Sequence, residues 1–195
     1  DPSPFIQTNI LGTYQLLQTS LKYFEGLNSR KKEDFRFLHI STDEVFGDLD
    51  EIGKFSEESS YNPSSPYSAS KASSDHLVRA WHRSYNLPIL ITNCSNNFGP
   101  RQYPEKLIPK MILNAVKEEM LPIYGEGKNT RDWIFVDDHN LGVLLVLAKG
   151  KIGDTYCIGA SNERTNNEVL QLLCQELDSI KPRASGQSYL SLIQY

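Results

Sequence analysis

The sequence predicts an α/β fold with a largely parallel sheet, and three observations predict it. Short apolar runs alternate with amphipathic helical stretches along the chain, the pattern of strand–helix–strand units. Two polar clusters, Thr42–Glu44 and Asn96–Asn97, fall just past the ends of apolar runs, and ligands collect at the carboxyl ends of strands in such sheets. No internal repeat or low-complexity tract interrupts the alternation.

Residues 4–24 carry apolar groups at Phe5, Ile6, Ile10, Tyr14, Leu17, Leu21 and Phe24, spacings of three and four that give an amphipathic helix. Gly12 inside it costs roughly 1 kcal/mol relative to Ala, so a close backbone approach is expected there. Residues 25–34 are polar and charged, a surface loop. Phe35–Ser41 is a short apolar strand, and 48–66, acidic and Ser-rich with prolines, is a long loop. Pro66 suits a first helical turn, and the helix then runs from Tyr67 to Tyr85, ended by Asn86 and Pro88. Further strands are expected at Pro88–Asn93, Leu121–Tyr124, Arg131–Val136 and Asp154–Ile158. Further helices are expected at Lys106–Glu118, from a cap at Asp137 or Asp138 to Ala148, and at Asn166–Ile180. The last fifteen residues show no clear period.

The 195 residues are 39% hydrophobic and 23% charged, enough for one ordinary domain or a large and a small lobe. A net charge of −4 gives no reason to expect nucleic acid or an anionic membrane as partner. No apolar run approaches the ~20 residues of a bilayer span. Cys94, Cys157 and Cys174 are far apart and odd in number, and the four histidines are scattered, so no metal site is expected. The cysteines read as buried thiols in a reducing cytosol, hence a cytoplasmic protein. The first residue is Asp1 rather than Met, so the natural N-terminus is expected to lie outside this sequence.

Chemistry concentrates between Ile40 and Lys71. H-I-S-T-D-E-V-F-G puts the Thr42 hydroxyl and the Asp43 and Glu44 carboxylates directly after a strand. S-P-Y-S-A-S-K puts Tyr67 and Lys71 four residues apart, on one helix face. A free phenol, with a pKa of about 10, is a poor base at neutral pH, and a nearby ammonium lowers that value. In a closed pocket two adjacent carboxylates titrate apart, one as acid and one as base; spacing alone leaves open which is which. The same letters also suit an ordinary helix-surface pair and a capped strand-end loop. Asn96 and Asn97 suit Asx turns before Gly99-Pro100, and Arg131 beside Trp133 offers a guanidinium fork for phosphate oxygens.

Together these segments resemble the extended short-chain dehydrogenase/reductase superfamily and, within it, the dTDP-glucose 4,6-dehydratases. Y-S-A-S-K marks the superfamily; S-T-D-E-V-F-G, N-N-F-G-P, P-E-K-L-I-P, and R-D-W with a downstream D-H mark the dehydratases. The resemblance runs from F-I-Q-T-N-I-L-G-T to about Leu177. It implies a Rossmann-like, doubly wound, largely parallel sheet, incomplete here, with a small substrate-binding lobe. Residues 1–95 would be the C-terminal half of the NAD-binding domain, and 96–195 mostly the sugar-nucleotide lobe, with a helix and strand returning to the main sheet. It implies NAD as cofactor, dTDP-glucose as substrate and a homodimer. By resemblance, Tyr67 removes the C4 hydroxyl proton, Glu44 takes the C5 proton, Asp43 protonates the departing C6 hydroxyl and Thr42 hydrogen-bonds the C4 oxygen. Lys71 holds the nicotinamide ribose and lowers the tyrosine pKa. Thr8 and Asn97 would face the cofactor. Asn96, Lys106, Leu107, Pro122, Ile123, Tyr124, Arg131 and Asn166 would face the sugar nucleotide.

The family's opening strand and G-x-x-G-x-x-G turn, which receive the pyrophosphate, have no counterpart here; Gly125-x-Gly127 is misplaced and lacks the third glycine. The acidic residue for the adenosine ribose is also absent, and the end reads R-A-S-G-Q-S-Y-L-S-L-I-Q-Y. The expectation is therefore an active whole protein and a piece that by itself binds NAD poorly and turns over little. Two other readings compete: a related sugar-nucleotide epimerase or decarboxylase, and a truncated non-catalytic paralogue acting as a dimerisation partner. The Asp43–Glu44 pair argues against the former, since neither reaction loses water from C6.

Overall fold

The computed structural model describes residues 1–49 and 53–195; the part of the expected 48–66 loop at 50–52 lies outside the described residues. The strands are β1 (Phe37–Thr42), β2 (Ile89–Cys94), β3 (Asn96–Phe98), β4 (Leu121–Pro122), β5 (Thr130–Phe135), β6 (Thr155–Ile158), β7 (Glu163–Thr165) and β8 (Ile193–Gln194). The helices are α1 (Ser3–Phe5), α2 (Thr13–Glu25), α3 (Ser29–Asp34), α4 (Pro66–Tyr85), α5 (Leu107–Val116), α6 (Val136–Lys149) and α7 (Asn166–Ile180). The chain divides into two compact units: Asp1–Cys94 with Asp137–Ile158, and Ser95–Val136 with Gly159–Tyr195.

The first unit holds a parallel sheet in the order β1-β2-β6. Its central strand, β2, is buried along most of its length, as a strand covered on both faces must be. Alternation sends Ile89 and Ile91 to one face, where Leu17 and Leu21 of α2 and Val78 of α4 meet them. It sends Leu90 to the other face, where a Cβ on Gly150 at the end of α6 would lie 3.0 Å from it. Helices on both faces of a parallel sheet make this a Rossmann-like, doubly wound arrangement.

Two features of this unit depart from the sequence reading. The expected helix over 4–24 is present, but Ile6–Gly12 between α1 and α2 winds as a π-helix, which a 3.6-residue period does not distinguish. At Gly12 an added Cβ would meet only the Gln7 carbonyl of its own helix, at 3.6 Å. Among the described residues no closer approach to Gly12 is present, and the glycine instead closes the π-helical stretch. The expected loop at 25–34 contains α3, whose charged sequence has no apolar period; Asn28 starts it by accepting from the Lys31 amide at 3.0 Å.

In the second unit β3 and β5 are parallel and β7 runs antiparallel to β5, while β4 pairs with β8. Its core joins Met111 and Ala115 of α5, Leu121 and Ile123, Leu170, Cys174 and Leu177 of α7, and Tyr189. Thr165 caps α7 reciprocally with Glu168: each side chain meets the other's backbone amide, at 3.2 and 2.7 Å. Among the described residues no helix is long and apolar enough to cross a membrane.

Candidate active site

The site candidates of the first unit gather at the carboxyl end of β1. Thr42 ends that strand, and its hydroxyl organises the 3-10 turn Asp43–Phe46, accepting from the Glu44 amide at 3.3 Å and donating to Asp43 Oδ1 at 3.2 Å. Val45 and Phe46 are buried against Ala72 of α4, with Phe55 and Tyr61 packed around them. Those two apolar anchors fix the turn, which leaves Asp43 half-buried and Glu44 exposed. The turn ends at Gly47, with φ of 89°, where a Cβ would collide with the Asn62 carbonyl.

The helix bearing Tyr67 and Lys71 starts with comparable definition. Ser65 and Ser68 form a reciprocal cap, and Pro66 occupies the first position, where its missing N–H costs nothing. Tyr67 is half-buried, with the Phe5 ring edge-on at 5.5 Å. Its phenol is pushed above its ordinary value by burial first and then by the charges of Glu44, Cys94 and Asp43. Those effects bring the two carboxylates and the phenol into one electrostatic neighbourhood.

Lys71 does not lower the phenol here, contrary to the expectation from their spacing. Its Nζ donates instead to the Ile40 carbonyl of β1 at 2.8 Å. Burial pulls the ammonium below its ordinary value, opposed by Asp75 and then Cys94. Thr8 lies exposed on the π-helical stretch. Its neighbour Asn9 donates to Ser70 Oγ at 2.9 Å, and Ser70 Oγ donates to the Tyr67 carbonyl at 2.7 Å. The π-helix is thereby tied to the α4 turn between phenol and ammonium. Asn9, Ser70 and Asp75 are absent from the sequence-based site; Asp75 left a signal in its i+4 spacing from Lys71.

The remaining candidates belong to the second unit. Asn96 and Asn97 form strand β3 rather than Asx turns, in register with Trp133 and Ile134. Asn97 Nδ2 donates to the Ser95 carbonyl at 3.1 Å, and its Oδ1 is buried without a partner among the described residues. Lys106, exposed, stands just before α5, and Leu107 opens that helix. Pro122 belongs to β4; Ile123 is buried in the core, its amide donating to the Gln194 carbonyl at 2.8 Å; Tyr124 is 80% exposed. Asn166, the first residue of α7, gives its amide to the Asn129 carbonyl at 3.1 Å.

Arg131 on β5 stands opposite Arg164 on β7, both exposed. Residues directly opposed across an antiparallel pair share a face, and like charges there repel; an anion between them relieves that repulsion. Asp132 does structural work. Burial raises its carboxyl, but amides of Asn162 and Ala160, donating at 2.7 and 2.8 Å, win and hold it below the usual range. Asp137 and Asp138, expected as caps, lie inside the first turn of α6, where carboxylates favour the positive end of the helix dipole. Among the described residues no group of His, Cys, Asp and Glu has the arrangement of a metal site.

A family model described as GDP-mannose 4,6 dehydratase matches residues 1–192. The dTDP-glucose 4,6-dehydratase of Xanthomonas campestris pv. campestris (strain B100) is 54% identical over 194 residues, covering 100% of this chain and 55% of the relative. Among solved structures, the dTDP-glucose 4,6-dehydratase of Bacillus anthracis, in complex with NAD, superposes with a TM-score of 0.85 at 42% identity, covering 100% of this chain and 57% of that one. The dTDP-glucose 4,6-dehydratase of Streptomyces venezuelae, also with NAD bound, gives 0.85 at 43% identity, covering 100% and 54%. The chain thus spans about 55% of the length of the curated relative it matches.

Proposed function

The chain belongs to the GDP-mannose 4,6 dehydratase family, and from that premise we propose that the whole protein is a hydro-lyase converting dTDP-glucose to dTDP-4-dehydro-6-deoxyglucose. The observation that carries this reading is the Thr42–Glu44 turn facing Tyr67: a hydroxyl, two carboxylates and a phenol at one strand end. Relatives of this chain act in the same way by name, with dTDP-glucose rather than GDP-mannose as the sugar nucleotide. The first unit supplies catalysis and part of the NAD site. The second supplies sugar-nucleotide contacts, from Asn96, Lys106, Leu107, the Pro122–Tyr124 segment, Arg131 and Asn166.

The residues present fit the nicotinamide end of NAD, since Tyr67 and Lys71 put a phenol and an ammonium one turn apart at the rim of the sheet, suited to a ribose diol; Thr8 and Asn97 are the further cofactor candidates. When bound, NAD supplies the acceptor and donor of hydride. Tyr67, as the phenolate, takes the C4 hydroxyl proton; Lys71 favours that form once its Nζ turns from the Ile40 carbonyl, and Thr42 holds the C4 oxygen. Glu44, the exposed carboxylate, removes the proton from C5, which the neighbouring ketone acidifies. Asp43, half-buried and hydrogen-bonded to Thr42, is the acid that gives its proton to the leaving C6 hydroxyl.

A homodimer in the cytoplasm completes the proposal. Exposed Tyr14 and Leu16 on α2 and Tyr85 on α4 offer apolar surface for a helical interface. The deciding experiment incubates the whole protein with NAD and either dTDP-glucose or GDP-mannose, reading product by mass spectrometry and NMR. Loss of one water from dTDP-glucose, with a ketone at C4 and a methyl at C6, is expected. A C4 epimer, loss of carbon dioxide from a uronic-acid analogue, or no product rejects it.

A further inference from the structure

The sheet β3-β5-β7 lies wholly within the second unit, and its two faces carry opposite chemistry. Successive side chains of a strand alternate between faces, and the register sets Asn96 beside Trp133 and Arg131 opposite Arg164. One face therefore bears Asn96 and Phe98 of β3, Arg131, Trp133 and Phe135 of β5, and Arg164 of β7. The rings agree with this: Phe98 stands edge-on to Trp133 at 6.5 Å and to Phe135 at 5.6 Å. The polar groups on this face are donors. Trp133 Nε1 is buried without a partner among the described residues, and both guanidinium groups are exposed.

The carboxylates of these strands belong to the other face, where Asp132 and Glu163 are opposed in register. Asp132 is engaged there by the Asn162 and Ala160 amides at 2.7 and 2.8 Å. Glu168, one turn beyond Arg164 and within reach of its charge, is occupied by the Thr165 amide and hydroxyl at 2.7 and 2.9 Å. Arg164 gives one N–H to the Glu163 carbonyl at 3.2 Å, a contact that leaves its positive charge in place. Like charges opposed across a strand pair repel. A diphosphate presents two adjoining anionic groups, one for each guanidinium fork. We propose that Arg164 is a substrate-binding residue: the second guanidinium, opposite Arg131, that grips the diphosphate of a nucleoside diphosphate. The proposal rests on the reading of the second unit as the sugar-nucleotide lobe, but it concerns the diphosphate and needs no turnover.

The test is calorimetric titration of the whole protein with dTDP and with GDP, each at low and at high salt, with Arg131→Gln as the comparison. Arg164 is exposed, so Arg164→Gln is expected to leave the thermal midpoint in place. It should weaken dTDP binding by roughly tenfold at low salt and make the salt dependence shallower, which a merely structural role would not do. A loss of less than about twofold while Arg131→Gln weakens dTDP clearly, or a loss with the salt dependence unchanged, overturns the proposal. Binding of GDP but not dTDP would reject dTDP-glucose as substrate, and the same comparison made with GDP then decides the role of Arg164. Binding of neither nucleotide by the unsubstituted protein sinks both.

Discussion

A phenol held above its ordinary value by burial and by the charges of Glu44, Cys94 and Asp43 does not ionise by itself at neutral pH. Tyr67 can act as a base only as the phenolate, its own proton having first passed to solvent, and a Lys71 ammonium turned toward it is what favours that form. Tyr67→Phe is accordingly expected to slow oxidation in the whole protein by roughly 10²–10⁴-fold, measured as reduced-cofactor absorbance in a single turnover. Asp43→Asn should slow water loss more than oxidation; equal slowing of both steps contradicts the role given to Asp43. That Thr42, Asp43 and Glu44 follow a strand and that Tyr67 and Lys71 lie one turn apart on a helix were legible because these relations are local. Asp75 and Asn9 were not, because their partners lie far along the chain: Asn9 meets Ser70 across 61 residues and Asp75 meets His39 across 36. Nor did spacing reveal that Lys71 spends its charge on a backbone carbonyl.

Among the elements, those with a strong apolar period or a clean cap emerged from the sequence almost intact. The last helix, Asn166–Ile180, has its expected bounds because Thr165 and Glu168 start it. Those missed, α3, β3, β7 and β8, are short and polar, or paired with strands remote in sequence, so no local pattern announces them. Gly47 is a different case, a residue whose need is visible only in three dimensions. With φ of 89° and the Asn62 carbonyl where a Cβ would sit, Gly47→Ala is expected to cost at least about 1–2 kcal/mol by urea denaturation. The loss should extend to activity, since this turn aims Asp43 and Glu44. An alanine variant of unchanged stability would show that the turn relaxes freely.

For the molecule as a whole, the α/β class and the parallel sheet were legible in the alternation of strand and helix. The interruption of the first unit by Ser95–Val136 depends on which strands pair, which no local pattern announces. Leu141, Leu144 and Leu145 of α6 are 65%, 59% and 55% exposed, and their spacing puts them on one helix face. The 195-residue chain expressed alone is therefore expected to bind hydrophobic dye and to scatter light. Substituting Leu141→Lys with Leu145→Lys should reduce both, with a stability change within about 1 kcal/mol; undiminished dye binding would place the sticky surface elsewhere.

The division of the first unit between two stretches of chain, Asp1–Cys94 and Asp137–Ile158, governs its assembly during synthesis. A ribosome releases β1 and β2 early, but the strand that pairs with the far edge of β2 emerges only after the whole intervening stretch. Until then that edge stays open to any passing strand, and closing it joins residues distant in sequence, a slow step. Chaperone dependence should therefore be greatest while residues 95–154 are being translated.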